Sequence, residues 1–186
     1  MNKLYLFDCF GVVVSDVSTI WMNKRLNREQ QLFFRNEVFR KVDCGLMSFD
    51  EAMNALAEVS KIPKQKVVEE WEADTYPLTD NLSVIAELKK QGTVALLSNA
   101  SVEYVDRLFG QFDLFKYFDR LFVSAKYGCA KPDKELYEIC LASFGQKFDE
   151  IYFVDDNPQN LVEPRKMGVK TVLFANTEQM KRDLGL

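Results

Sequence analysis

The second half of the chain alternates between helical and strand-like segments, and no other feature of the sequence constrains the fold as strongly. Short apolar runs are separated by longer segments in which apolar residues recur every three or four positions. With one further apolar run near the N-terminus, the predicted strands are residues 4–7, 93–97, 120–124, 151–154 and 170–175. Five strands joined by helical crossovers predict a Rossmann-like α/β core: a parallel, three-layer sheet with right-handed connections.

Glycine and proline mark the ends of the connecting helices. Gly92 and Gly168 each follow the last periodic residue of a helix. Pro132 and Pro158 stand at positions typical of a first helical turn. Pro164 falls in the middle of the last helix, where we expect it to cost about 3 kcal/mol and to kink the helix. The predicted helices cover residues 82–91, 102–109, 132–143 and 158–168.

Residues 15–80 precede this alternation and form a wholly helical stretch. Apolar residues recur there at spacings near 3.6, and Ser48 followed by Glu51 forms a capping box. We therefore expect two domains: an α/β core of residues 1–14 and 81–186, and an all-helical cap of residues 15–80, called the helical insertion below. The predicted helices of the insertion cover residues 21–42, 49–60 and 65–71.

The composition excludes several classes of function. None of the 186 residues is histidine, which excludes Ser-His and Cys-His nucleophile pairs and every histidine-based metal site. The net charge of -4 lacks the basic surplus that would favour a nucleic-acid polymer or an anionic membrane as partner. We therefore expect a small metabolite as the partner, and the largely polar surface favours a monomer.

The predicted location is the cytoplasm. The N-terminus begins inside a strand, with no room for the apolar region of a signal peptide, and no apolar run approaches the roughly 18 to 20 residues that span a bilayer. The four cysteines are widely spaced and form no C-x-x-C pair. They are therefore predicted to be free thiols, as expected in a reducing compartment.

Polar side chains follow three of the predicted strands, and a lysine precedes one of the predicted helices. These residues are Asp8, Ser98, Asn99, Lys131, Asp155 and Asp156. Because the carboxyl ends of parallel strands share one edge of a sheet, we expect the side chains to meet in one pocket. Grouped carboxylates repel each other unless a divalent cation lies among them, and hard oxygen ligands favour Mg²⁺.

A pocket with this pattern of charges suits a phosphoryl group. The cation would screen Asp8 from an incoming phosphate, and the ammonium group of Lys131 would hold the remaining charge of that phosphate. Ser98 and the backbone N–H groups after Asp8 would donate hydrogen bonds to the phosphate oxygens. Asp8 could then attack phosphorus.

Four motifs together resemble those of a known enzyme family. The segments DCFGVV, LLSNA, KPDKELY and FVDDNPQN occur in this order, with the helical insertion after the first. The combination resembles the haloacid dehalogenase-like (HAD) hydrolase superfamily, particularly its phosphatases with a helical cap between the first and second motifs. The resemblance implies a Mg²⁺-dependent phosphatase of a small phosphorylated metabolite, such as a sugar phosphate or a nucleotide.

The resemblance also implies a role for each motif residue. Asp8 matches the nucleophile that becomes an aspartyl phosphate. Mg²⁺ would be held by Asp8, the backbone carbonyl of Phe10 and Asp156. Asp155 would be a further ligand or would hold a metal-bound water. The positions implied to bind the phosphate are Ser98, Asn99 and Lys131, the last of which also neutralises the nucleophile.

One position departs from the family pattern. Most phosphatases of the superfamily have a second aspartate two residues after the nucleophile, which acts as general acid and base, and here that residue is Phe10. Such catalysis commonly contributes about 10² to 10⁴ in rate, so its loss predicts a slow enzyme or a substitute. The substitute could be Asp16, a carboxylate of the cap or the substrate itself.

This departure leaves alternative functions open. The dehalogenases of the superfamily also have an aromatic residue at the position of Phe10, which makes a metal-free 2-haloacid dehalogenase a rival interpretation. Dehalogenases, however, carry uncharged residues where this chain has Asp155 and Asp156, because a site that faces a carboxylate substrate does not tolerate extra negative charge. Further alternatives are a phospho-ligand binding protein and a phosphotransferase with weak hydrolysis.

Overall fold

The computed structural model describes residues 2–186 and shows one parallel sheet at the centre of the core; Met1 of the predicted core lies outside the described residues. The strands are β1 (Lys3–Phe7), β2 (Thr93–Ser98), β3 (Arg120–Val123), β4 (Glu150–Asp155) and β5 (Lys170–Leu173), in the spatial order β3-β2-β1-β4-β5. All five predicted strands are present, with ends within two residues of those predicted. The predicted Rossmann-like parallel sheet is therefore confirmed.

The central position of β1 follows from its apolar side chains on both faces. Tyr5 and Phe7 pack into an apolar cluster on one face of the sheet, and Leu4 and Leu6 pack into a second cluster on the other. Such two-sided burial is typical of parallel sheets covered by helices. Because β1 pairs with both β2 and β4, the carboxyl ends of these three strands open onto one crevice.

The helical insertion lies between β1 and β2. It comprises α1 (Val17–Arg25), α2 (Arg28–Phe33), a π-helical segment (Phe34–Phe39), α3 (Arg40–Asp43), α4 (Phe49–Ser60) and α5 (Lys64–Ala73). The predicted capping box starts α4: the Glu51 N–H donates to Ser48 Oγ over 3.1 Å, and the Ser48 N–H donates to the Glu51 carboxylate over 2.8 Å. The helices predicted over residues 49–60 and 65–71 are confirmed.

The single helix predicted over residues 21–42 is wrong. The side chain of Asn27 accepts a hydrogen bond from the Gln30 N–H, and the side chain of Gln30 accepts one from the Asn27 N–H, both over 2.9 Å. This second capping box starts α2 and separates it from α1, so a local capping signal overrides the continuous apolar periodicity. The π-helical segment interrupts the predicted helix a second time.

The core helices differ from the prediction mainly at their ends. α6 (Thr79–Leu88) lies three residues before its predicted position, and α8 (Lys134–Ala142) begins two residues after its predicted start. The last helix was not predicted, although its cap, Asn176, accepts a hydrogen bond from the Gln179 N–H and is a recognisable signal. The remaining core helices are α7 (Val102–Gln111), α9 (Val162–Lys166) and α10 (Thr177–Leu184), with 3₁₀ turns at Phe115–Tyr117, Ser124–Lys126 and Pro158–Leu161.

Pro164 does not lie in the middle of a helix, because the predicted helix of residues 158–168 is divided. Its first part is a 3₁₀ turn, and α9 begins only at Val162. Pro164 therefore lies in the first turn of α9, where the N–H of a residue has no acceptor within the helix. Proline is tolerated at such a position, so the expected cost of about 3 kcal/mol does not apply.

A third apolar cluster fills the helical insertion. It surrounds Trp21 and Trp71 and includes Tyr104, which belongs to α7 of the core. The insertion and the core therefore share buried side chains, and the boundaries of the two predicted domains stay a prediction. None of the helices within residues 2–186 combines the length and the apolarity that crossing a bilayer requires.

Candidate active site

Asp8 lies directly after β1, at the edge of the sheet where three strands end. Its N–H donates to the carbonyl of Val154 over 2.9 Å, which extends the pairing with β4 by one residue. Gly11 then turns the chain with a φ of +85°, a backbone conformation that residues with a side chain rarely adopt. A Cβ atom at Gly11 would lie 2.3 Å from Oδ2 of Asp156, so a larger residue here would displace the Asp156 side chain.

The ammonium group of Lys131 joins the first motif to the last. Its Nζ lies 2.7 Å from Oδ1 of Asp8 and 2.7 Å from Oδ2 of Asp155, and Lys131 is only 3% exposed. Burial alone would lower the pKa of Lys131, but the charges of Asp155 and Asp8 outweigh burial and hold that pKa above its usual value. Lys131 is therefore a fixed, charged group in the site.

The charge of Asp8 is only partly neutralised. Burial raises the pKa of Asp8 well above its usual value, and the charge of Asp155 raises it further, while Lys131 acts in the opposite direction. Oδ1 of Asp8 also accepts a hydrogen bond of 2.7 Å from the N–H of Cys9. The carboxylates of the site therefore outnumber the ammonium group that faces them.

The two aspartates at the end of β4 differ in their surroundings. Asp155 is fully buried, and its carboxylate accepts hydrogen bonds from the Asn157 N–H over 2.8 Å and from Nδ2 of Asn160 over 3.1 Å. Asp156 reaches solvent and lines a cavity. Partial burial and then the charge of Asp155 raise the pKa of Asp156 to about 6. Asp155 therefore supports Lys131 and the following loop, whereas Asp156 is free to bind a ligand.

Three carboxylates offer a site for a metal ion. One oxygen each from Asp8, Asp155 and Asp156 lies within 4.8 Å of the other two. Carboxylate oxygens are hard ligands, and a site with more acids than ammonium groups gains from a further cation, so this donor set fits Mg²⁺. The expected contribution of the Phe10 carbonyl stays a prediction. We call Asp8, Lys131, Asp155 and Asp156 the charged edge.

The two residues at the end of β2 have different environments. Oδ1 of Asn99 accepts a hydrogen bond of 2.8 Å from the Lys131 N–H, and Nδ2 donates one of 2.9 Å to the Lys131 carbonyl. Asn99 therefore positions Lys131, and its contact with a substrate stays a prediction. Ser98 is fully buried, and its hydroxyl has no hydrogen-bond partner among the described residues. Such a hydroxyl costs about 1–3 kcal/mol. Ser98 is not among the residues that line the cavity described below, so its contact with a phosphate stays a prediction.

A cavity of about 670 Å³ lies between the charged edge and the helical insertion. The rings of Phe10 and Tyr104 are stacked with centroids 5.9 Å apart, and those of Tyr104 and Phe49 with centroids 4.2 Å apart. Nε1 of Trp71 donates to the Tyr104 hydroxyl over 2.9 Å, so these polar atoms bond to each other. We call the aromatic residues that line the cavity the aromatic wall: Phe10, Phe39, Phe49, Trp71 and Tyr104.

The helical insertion also brings charged and polar side chains to the cavity. The guanidinium group of Arg40 donates to the carbonyls of Ala130 and Lys131, each over 3.2 Å, and it forms an ion pair with Asp133. The insertion therefore holds the loop that carries Lys131. Lining residues from the π-helical segment and α3 include Arg35, Asn36, Arg40 and Asp43.

The sequence motifs led to the charged edge but not to the opposite side of the cavity. The side chains of Trp71 and Tyr104 have the helical spacing of ordinary core residues, and Asp43 follows a basic segment without any motif of its own. Only the packing of the insertion on the core shows that they line the same space as Asp8.

A family model for haloacid dehalogenase-like hydrolases matches residues 2–168 of this chain. The chain belongs to the haloacid dehalogenase-like hydrolases. The match includes the charged edge and the helical insertion, so the membership expected from four short motifs is confirmed.

Curated relatives of this HAD-like hydrolase differ in length and in reaction. Drimenol cyclase drtB of Aspergillus calidoustus is 28% identical over 156 residues, which are 80% of this chain but only 30% of drtB. Sesquiterpene phosphatase astK of Aspergillus oryzae is 26% identical over 171 residues, which are 90% of this chain and 87% of astK. Haloacid dehalogenases also match, so family membership alone does not select the reaction.

Solved structures of HAD enzymes share the whole fold. The HAD family enzyme bt-2542 of Bacteroides thetaiotaomicron superposes with a TM-score of 0.78 at 18% identity, over 97% of each chain. The same enzyme has been crystallised with magnesium and inorganic phosphate, and that structure superposes with a TM-score of 0.73 at 19% identity, over 92% of this chain and 93% of the other. At this identity the likeness establishes the fold.

Proposed function

We propose that this HAD-like hydrolase is a Mg²⁺-dependent phosphatase of a small phosphorylated metabolite, and that Asp8 carries the phosphoryl group as an aspartyl phosphate. The observation behind the proposal is the charged edge, in which Lys131 lies 2.7 Å from both Asp8 and Asp155 beside a third carboxylate. A phosphate can approach an acidic nucleophile only where cations offset its charge. The edge supplies one ammonium group and the oxygen ligands for a metal ion.

The acidic cluster supports a set of ligands for the ion. Asp8 and Asp156 would hold Mg²⁺ together with the Phe10 carbonyl, and Asp155 would be a further ligand or would hold a metal-bound water. When bound, the ion would offset the negative charge that the carboxylates share with the phosphate.

The side chains of the chain itself would perform the two substitutions at phosphorus. Asp8 attacks phosphorus and the alkoxide of the substrate leaves, which gives the aspartyl phosphate. Asp155 holds the Nζ of Lys131 beside Asp8, and the amide of Asn99 holds the backbone of Lys131. The unpartnered hydroxyl of Ser98 would donate to a phosphate oxygen. Water then releases inorganic phosphate and restores Asp8.

Two of the compared proteins support this reaction class. The relative astK, which the chain matches over most of its length, is named a sesquiterpene phosphatase, and bt-2542 binds magnesium and inorganic phosphate in its crystals. The aromatic wall of this chain offers apolar contacts to a leaving group. A substrate panel should therefore include an isoprenoid phosphate beside sugar phosphates and nucleotides.

A metal-free 2-haloacid dehalogenase is the second candidate, and Phe10 is the observation in its favour. Against it, Asp155 and Asp156 add negative charge to a site that would have to accept a carboxylate substrate. This candidate predicts halide release that does not respond to chelators. A third candidate, a phospho-ligand binding protein or phosphotransferase, predicts Mg²⁺-dependent binding or transfer without release of phosphate.

The testing experiment measures phosphate release from sugar phosphates, nucleotides, an isoprenoid monophosphate and p-nitrophenyl phosphate, with Mg²⁺ and with EDTA. We expect turnover that EDTA abolishes and that Asp8→Asn abolishes, because the amide is a poor nucleophile. The matched control is Asp113→Asn, since Asp113 is exposed and its left-handed backbone suits asparagine.

Two outcomes would contradict the proposal. Halide release from 2-haloacids in EDTA, without phosphate release from any phosphomonoester, would establish the dehalogenase instead. Mg²⁺-dependent binding of phosphomonoesters without product would establish the binding protein.

A further inference from the structure

The proposed phosphatase needs a proton donor that the first motif does not supply. Phe10 occupies the position of the usual acid, and its ring stacks on Tyr104 in the aromatic wall. Unless the leaving alkoxide is protonated, its departure is slow. Apart from the fixed ammonium group of Lys131, the protonatable groups that line the cavity and can accept or donate a proton are Asp8, Asp16, Asp43, Asp156 and Tyr104.

Three of the four carboxyl groups already have another role. Asp8 is the proposed nucleophile, and Asp156 is a proposed metal ligand. Asp16 caps α1: its Oδ1 accepts hydrogen bonds from the Thr19 N–H over 3.1 Å and from the Ser18 hydroxyl over 2.9 Å. Protonation of Asp16 would weaken these bonds at the start of the helix.

The hydroxyl of Tyr104 is also committed. It accepts a hydrogen bond from Nε1 of Trp71 over 2.9 Å and lies 3.4 Å from the hydroxyl of Thr75. Burial raises the pKa of Tyr104, and only 7% of the residue is exposed. A tyrosine held in this way is a poor donor for a group that leaves from the cavity.

Asp43 remains, and its surroundings suit a group that exchanges protons. It ends α3, lines the cavity with Asp8 and is half-buried. Within the described part of the chain, its carboxyl group takes part in no hydrogen bond or ion pair. Burial raises the pKa of Asp43 to about 7, although Lys131 and Arg40 act to lower it. The other charged groups that line this cavity are Asp8, Asp16, Arg35 and Asp156.

We propose that Asp43 of the helical insertion is the general acid and base of the reaction, in place of the residue that Phe10 replaces. The inference rests on the proposed phosphatase function. It follows from the position of Asp43 on the cavity wall, from its unpartnered carboxyl group and from the other roles of the remaining groups. The insertion would then supply a catalytic residue as well as contacts for the substrate.

The proton balance over the two steps is closed. In the first step, the bond from Asp8 to phosphorus forms, the bond from phosphorus to the leaving oxygen breaks, and the proton of Asp43 moves to that oxygen to give the alcohol. In the second step, water attacks phosphorus, Asp43 accepts a proton from the water, and the bond from phosphorus to Asp8 breaks. The products are inorganic phosphate and the original state of both aspartates.

The test is Asp43→Asn with two classes of substrate. With an alkyl phosphate, whose leaving group must be protonated, we expect kcat/KM to fall about 10²- to 10⁴-fold. With p-nitrophenyl phosphate, whose leaving group departs without a proton, we expect kcat/KM to change less than about tenfold. Because the second step still lacks its base, that substrate should give a rapid burst of one p-nitrophenolate per enzyme and a slow steady state. The burst also shows that the variant is folded.

The matched control is Asp16→Asn, which changes the other cap carboxylate of the cavity. Asparagine is a good N-cap residue, so this variant should keep the start of α1 and the ratio of the two kcat/KM values. A second measurement needs no variant. Since Asp43 must be protonated for the first step, wild-type kcat/KM for the alkyl phosphate should fall as the pH rises above about 7. The value of kcat/KM for p-nitrophenyl phosphate should not fall over the same pH range, because its leaving group needs no proton.

The inference and the proposed function fail in different ways. Asp43 is not the acid if the wild type releases phosphate but two results are seen together. The first is that Asp43→Asn lowers kcat/KM equally for the two substrates, or for neither. The second is that the wild-type kcat/KM values for the two substrates depend on pH in the same way. If the selective loss appears in Asp16→Asn, Asp16 is the acid instead. If the wild type releases no phosphate from any substrate, the proposed function itself is wrong.

Discussion

The two sides of the cavity are held together by different interactions. On the charged edge, buried ionic groups lie in fixed pairs, with Lys131 between Asp8 and Asp155. On the aromatic wall, rings from the core and from the insertion stack in the order Phe10, Tyr104, Phe49. Removal of one partner of a buried ionic pair costs about 3–5 kcal/mol because it leaves an uncompensated charge, whereas a pair of stacked rings contributes only about 0.5–1.5 kcal/mol beyond the burial of the rings. The edge therefore fixes the chemistry, and the wall is free to vary with the substrate.

The largest effect that would test this comparison is expected for Lys131→Met. Methionine fills much of the same space but leaves Asp8 and Asp155 buried without their cation. We expect a loss of about 3–5 kcal/mol in the free energy of unfolding at pH 8 in EDTA, measured by urea unfolding with circular dichroism. Burial already raises the pKa of Asp8 above its usual value, and the variant removes the ammonium group that opposes this rise, so the loss should shrink towards pH 5 and grow as the pH rises.

The control for this prediction is Lys134→Met on α8. The Lys134 side chain is 58% exposed and pairs with Glu138 one turn away, so its loss should cost less than about 0.5 kcal/mol. Equal losses in the two variants, or a loss in Lys131→Met that does not depend on pH, would mean that buried charge is not what holds the edge together.

An intermediate effect is expected for Gly11→Ala, compared with Gly168→Ala. Both glycines have left-handed backbones, with φ of +85° and +83°, but only at Gly11 would the new methyl group meet Asp156. We expect Gly168→Ala to cost about 1–2 kcal/mol from backbone strain alone. Gly11→Ala should cost more in urea unfolding and should raise the Mg²⁺ concentration needed for activity about 10- to 100-fold, because Asp156 must move. Equal Mg²⁺ requirements would remove Asp156 from the ligand set.

The smallest effect is expected on the aromatic wall, for Phe10→Leu. Leucine keeps an apolar side chain but removes the stack on Tyr104, which should cost about 0.5–1.5 kcal/mol in urea unfolding. Activity towards p-nitrophenyl phosphate should stay within a few-fold of the wild type. The control is Phe33→Leu, at a ring that is 54% exposed and does not line the cavity. A loss of activity as large as that of Asp8→Asn would give Phe10 a chemical role.

The sheet and the charged edge could be predicted from the sequence because their signals are local. Each strand is a short apolar run with a polar residue at its end, and the topology of a parallel sheet brings those ends to one place. The sequence pattern alone therefore identifies Asp8, Lys131 and the acidic pair. It does not predict the double hydrogen bond from Asn99 to the backbone of Lys131, because that contact joins two loops that are distant in the sequence.

The helical insertion is harder to predict for two physical reasons. Apolar periodicity continues across Asn27, so the pattern indicates one helix where a capping box in fact separates α1 from α2. The π-helical segment has no signal in the apolar pattern, although it supplies part of the cavity lining. Asp16 and Asp43 of the insertion both line the cavity with Asp8, and Asp43 reaches it through these departures from a regular helix, so the sequence singles out Asp16 but not Asp43.

The position of the two tryptophans gives the molecule an optical label of its own. Trp21 and Trp71 are the only tryptophans in the sequence, both are buried in the cluster of the helical insertion, and their rings lie 6.4 Å apart. When tryptophan is excited selectively, the fluorescence therefore reports on the insertion, because the sheet contains no tryptophan. Since Trp71 also lines the cavity, the emission of the unmodified protein can register a ligand that enters beside it.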